Sequence, residues 1–141
     1  MDLNSTLEDV LRDLIELKYH AAFYHWNVRG CCFSQDHAFF GEVESSVDSF
    51  IDRIAEGIRT TGMPVPTSVL KIVVKDSNSK ADKMYETLSD LNELVYINLL
   101  KAYKQSEDAT ELGISNMLQD CIEYNRKLHW MLTARSGNGD E

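Results

Sequence analysis

The chain has only two prolines in 141 residues, and both fall between Met63 and Pro66. Seven glycines and three cysteines are equally sparse. Proline and glycine are the residues least compatible with helix interiors, so their scarcity leaves long unbroken stretches and leans the chain towards an all-α fold. Cys31, Cys32 and Cys121 are odd in number and lack Cys-x-x-Cys spacing. They do not form a disulfide or zinc framework of the usual kinds, and are expected to be reduced and mostly to pack. No apolar run approaches the roughly 20 residues needed to span a bilayer. No basic-then-apolar order opens the chain, so the expected location is the cytoplasm. Positive charge is short as well: 14 Lys and Arg stand against 23 Asp and Glu, a formal net charge of -9. Direct nucleic-acid binding depends on Lys and Arg neutralising phosphates and is not expected.

What the chain does have is helical period. One domain over 1–141 is expected from its length. A first helix is expected from Ser5, where Ser5 and Glu8 have the spacing of a capping box. Leu7, Val10, Leu11, Leu14, Leu17, Ala21, Tyr24 and Val28 then recur at three- and four-residue steps, and Gly30 stops the helix. A second helix is expected from Ser34 to Gly62, with Phe40, Val43, Val47, Phe50, Ile51, Ile54 and Ile58 as its apolar stripe. Met63 to Ser79 forms a long connection. Its apolar stretch Val69 to Val74 reads as a short helix or a buried strand, and Thr67 as a cap favours the helix. Third and fourth helices are expected from about Ser79 to Gln105 and from about Thr110 to Ser136, with Gly137 as the final stop. Long helices joined two by two across one long connection describe a four-helix bundle with a crossover.

Carboxylates and imidazoles converging from packed helices hold iron-like metals. The candidates are His25 on the first helix and His37, Asp52 and Glu56 on the second. Asp52 and Glu56 are four residues apart and share a helical face. His37 lies 15 residues before Asp52, a separation of roughly 22 Å along a straight helix. If all four serve one centre, His25 and His37 come from one subunit and Asp52 and Glu56 from another, and a two-fold axis generates two sites per dimer. Di-iron bundles with intrasubunit centres use Glu-x-x-His pairs. The residues three before the histidines are Leu17, Ala22, Ser34 and Arg126, so that arrangement is absent. Taken singly, each candidate has a plainer reading. Asp52, Arg53 and Glu56 suit a solvated helix face, Trp26 and Trp130 suit core or interface positions, and His20 and His129 are read as structural.

Taken together, His25-Trp26-Asn27-Val28-Arg29-Gly30, then His37, then Asp52-Arg53-Ile54-Ala55-Glu56, resembles the signature of the Dps family, the mini-ferritins. The resemblance is specific over Tyr19 to Pro66 and continues more weakly to Lys127–Trp130. It implies a ferritin-like four-helix bundle with a short helix in the long connection between the second and third helices. It also implies a ferroxidase: a homo-oligomeric shell of twelve subunits that oxidises Fe(II), commonly with hydrogen peroxide, and stores ferric mineral. Two irons would bind at each inter-subunit site through His25 and His37 of one subunit and Asp52 and Glu56 of another, with Trp26 alongside. The chain departs from the pattern at Gly41, where the family usually carries Asp or Glu; Glu42, Glu44 and Asp48 are the nearby stand-ins. A second departure is at Leu112 and Asn116, where the family lines its pore for iron with Asp, although Glu111 and Asp120 are close. The alternative to an active cage is a shell of the same shape with weakened or lost ferroxidase activity, for which Gly41 is the main argument.

Overall fold

The computed structural model describes residues 2–75 and 80–136. It consists of α1 (Leu3–Asn27), α2 (Phe33–Thr60), α3 (Ala81–Asp108) and α4 (Leu112–Ser136), with a short 3-10 helix, Thr67–Leu70, in the long connection between α2 and α3. No strand occurs among the described residues. The short turn between α1 and α2 makes them an antiparallel pair that packs along its length, and α3 and α4 form the second pair. α1 also packs against α3, which joins the pairs around one core. The expected stripes are what closes that core. Leu7, Val10, Leu14, Leu17 and Ala21 of α1 meet Phe40, Val43, Val47 and Ile54 of α2 and Met84, Leu88, Val95 and Leu99 of α3. Each large side chain so buried is worth about 1.5–3 kcal/mol.

The helix ends differ from the sequence-based expectation in instructive ways. α1 begins earlier, because Asp2 rather than Ser5 is the cap: its carboxylate accepts from the Ser5 backbone N–H at 2.9 Å. Each residue is competent to accept from the N–H three residues on, Ser5 for Asp2 and Glu8 for Ser5, and a carboxylate also suits the positive end of the helix dipole. Thr67 lies inside the 3-10 helix, with Pro66 at the capping position. The short helix expected in the connection forms over Thr67–Leu70, and residues 71–75 are neither helix nor strand. Expectations for Ser79 and Gly137 fall outside the described residues. α3 runs three residues beyond Gln105 and closes through Thr110, at φ 58. There the Glu111 N–H donates to the Ser106 carbonyl at 2.9 Å. This is a left-handed helix stop usually made by glycine, here carried by a β-branched residue.

Candidate metal centre

His25 sits in the last turn of α1 and His37 in the second turn of α2, so the tight connection brings the two imidazoles together. They stack with centroids 3.8 Å apart and planes 12° apart. The His25 Nδ1–H donates to the His37 carbonyl at 2.6 Å, and the His37 Nδ1–H donates to the His25 carbonyl at 2.7 Å. A carbonyl can only accept, so both rings are fixed as the tautomer with hydrogen on Nδ1. In the neutral ring this leaves Nε2 with the lone pair, the form in which imidazole ligates a metal. Phe33 extends the stack on His37, with centroids 5.0 Å apart.

Gly41 has a role the sequence did not disclose. A Cβ at this position would lie 2.9 Å from both Cε1 and Nδ1 of His25. The missing side chain is the space into which His25 settles against α2. The departure from the acidic pattern therefore coincides with a histidine pair seated on the helix backbone. Of the stand-ins, Asp48 pairs with Lys18 at 2.9 Å, which raises the lysine above its ordinary value. Glu42 is exposed and Glu44 half-buried.

Asp52 and Glu56 lie on the same unbroken helix as His37, four turns and more further on, and both are exposed. The 15-residue offset along α2 holds Asp52 roughly 22 Å from His37. Glu56 lines an open groove with Arg53, Thr60 and Glu111, and Arg53 pairs with Asp120 at 3.0 Å. Among the described residues, no three His, Cys, Asp or Glu side chains gather closely enough to hold a metal within one chain. Trp26 packs edge-on against Phe23 at 5.0 Å and is 62% exposed; Trp130 is exposed likewise, so neither tryptophan is in the core. Leu112 and Asn116 are also exposed. His20 has both ring nitrogens engaged: Nδ1–H donates to the Glu16 carbonyl, and Nε2 accepts from the Lys75 N–H.

The residue overlooked in the sequence is Asp36. It is 3% exposed, immediately before His37, and accepts from the Tyr85 hydroxyl at 2.8 Å and from Arg135 Nε at 3.4 Å. Arg135 also lies over the Tyr85 ring, 4.4 Å from its centroid. Burial, and then the bond to Asp36, pushes the Tyr85 hydroxyl well above its ordinary value, so it stays a donor. This network ties the start of α2 to α3 and α4, and so braces the turn that carries the histidine pair. A signal was present: Asp36 falls on the core stripe of Phe40, Val43 and Val47, where an acid is out of place without buried partners.

The comparisons agree with this architecture. The ferritin-like domain family matches residues 4–140. The DNA protection during starvation protein of Brevibacillus brevis is 30% identical over 119 residues, covering 79% of this chain and 78% of that one. The Dps of Listeria monocytogenes superposes with a TM-score of 0.89 at 19% identity, over 97% of this chain and 94% of that one. The Dps protein of Vibrio cholerae, described as a member of a broad superfamily of ferritin-like diiron-carboxylate proteins, superposes with a TM-score of 0.86 at 24% identity, over 94% and 87%. The chain belongs to the ferritin-like family, among its Dps proteins.

Proposed function

We propose that the chain is the subunit of a homo-oligomeric cage, by family resemblance a cytoplasmic dodecamer, that oxidises Fe(II) with hydrogen peroxide and stores the ferric product. The observation that carries this reading is the histidine pair: two imidazoles locked by each other's backbone carbonyls, each with Nε2 unengaged among the described residues. A purely structural pair has no need to keep both of those nitrogens unengaged. The site would be completed by Asp52 of the partner subunit and Glu56 of the partner subunit, because the chain's own copies lie too far along α2. Exposed apolar side chains support assembly: Leu94, Ile97 and Leu100 recur every three residues on α3, and Leu70 and Val73 stand out on the connection.

In this reading two Fe(II) ions are the substrate of each site. Each gives one electron to peroxide, which with two protons becomes two waters, so no hydroxyl radical is released. Nitrogen and carboxylate donors suit both iron oxidation states, and Trp26 stands beside His25 in sequence as a reductant for stray oxidant. Anaerobic Fe(II) followed by stoichiometric peroxide should raise the ferric absorbance in step with the peroxide added. Light scattering should give a particle of about twelve 16.1 kDa chains. Iron oxidation no faster than the protein-free background, with assembly intact, would instead establish the inactive shell.

A further inference from the structure

The cysteines do not behave alike. Cys121 is buried in the core, where burial pushes its thiol up to about 12 and keeps it unreactive. Cys31 and Cys32 are exposed, against the sequence-based expectation of packing, because the α1–α2 turn projects them away from the bundle. Their sulfurs face each other at 3.5 Å and share a hydrogen bond. Both line a cavity of about 530 Å³ together with Arg29, Lys80 and Arg135. Arg135 is paired with Asp36 and Asp82 on the same wall, which leaves three cations against two carboxylates around the thiols. Cys32 is also the capping residue of α2, with no side-chain cap bond, so the positive end of the helix faces the pair. Exposure, positive surroundings and a second thiol within reach are the conditions under which thiols react with peroxide reversibly.

We infer that Cys31 and Cys32 form a peroxide-oxidisable dithiol, giving the chain a metal-free route for reducing peroxide that is separate from the histidine site. With Cys32 donating in the shared hydrogen bond, its thiol is raised above its ordinary value and keeps its proton, and Cys31 is the attacking sulfur. The Cys31 thiolate attacks one peroxide oxygen: an S–O bond forms, the O–O bond breaks, and the departing hydroxide is protonated to water. Cys32 then attacks the Cys31 sulfenic sulfur. The S–S bond forms, the S–O bond breaks, and the second hydroxide leaves as water with the Cys32 proton. Two thiols supply the two electrons that peroxide takes up. Adjacent Cα atoms are about 3.8 Å apart, below the usual span of a disulfide. The bridge is therefore strained and is readily opened again by small thiols.

The test uses the full-length, metal-free, reduced protein, so its outcome is independent of iron oxidation. After equimolar hydrogen peroxide, two of the three thiols per chain should be lost to thiol titration in denaturant. The peptide containing both cysteines should lose two hydrogens, and dithiothreitol should restore them. Cys121→Ser should behave as the parent does. Cys32→Ser, a substitution well suited to a helix cap, should stop at a sulfenic acid on Cys31 that dimedone traps. Survival of all three thiols in tenfold peroxide would overturn the inference. So would a bridge that links two chains on a non-reducing gel, or oxidation of Cys31 in the parent without loss of the two hydrogens.

Discussion

The two ends of α2 carry the two halves of the candidate site, and they are built in opposite ways. At the start, His37 is fixed through the carbonyl of His25, His25 fills the space over Gly41, and Asp36 anchors the turn to Tyr85 and Arg135. At the other end Asp52 and Glu56 stand exposed. One half is preorganised within a chain, and the other is presented outward. A carboxylate pair needs no internal bracing if a second copy supplies its partners, whereas an imidazole held in one orientation and tautomer through its other nitrogen ligates more tightly.

Changes to the histidine half should have the largest effect. His25→Ala or His37→Ala should abolish stoichiometric zinc or Fe(II) binding by calorimetry and leave helix content unchanged by circular dichroism. Asp36→Asn comes next, since it removes the charge from hydrogen bonds worth about 1.5–3 kcal/mol. It should lower the urea midpoint and weaken metal binding although Asp36 is no ligand. Equal metal affinity in that variant would show that the network does not brace the pair. Gly41→Ala sets two effects against each other. Alanine gains roughly 1 kcal/mol of helix propensity, and overpacking against His25 costs about 1–3 kcal/mol. Stability should therefore stay level or fall by up to about 2 kcal/mol, and metal affinity should fall, whereas an ordinary Gly-to-Ala change inside a helix raises stability. The last change lies outside the histidine half, in the α3–α4 turn: Thr110→Gly should raise stability by about 1 kcal/mol through relief of the left-handed backbone, read as a higher urea midpoint, with metal binding by the histidine pair unchanged.

Much of the fold was legible in the sequence, because helical period is a local property; the nearness of His25 to His37 and the distance of Asp52 and Glu56 from them follow from helix length and one short turn. The apolar stripe of α1 and most of that of α2 are buried as the three- and four-residue steps require. What escaped depends on neighbours distant in the chain or on a choice between near-equal local options. Asp2 and Ser5 are both competent caps, and only the path of the chain decides between them. Gly41 reads as a missing acid until the His25 ring is seen against it. Asp36 stands on the core stripe in the sequence, but the partners that bury it, Tyr85 and Arg135, come from α3 and α4. For Cys31 and Cys32 the turn position favours packing over a redox role, because sequence does not show which way a turn projects.

The central claim is that the site is shared between subunits, and subunit mixing tests it most directly. His25→Ala and Asp52→Ala subunits, each inactive alone, would be unfolded together and reassembled in equal amounts. With random pairing, half the dimers are mixed and each mixed dimer keeps one intact site of two. Peroxide-driven iron oxidation should then return to about a quarter of the parent rate. If mixed shells, verified by mass, stay as inactive as either variant alone, His25 and Asp52 do not meet across an interface and the account is wrong.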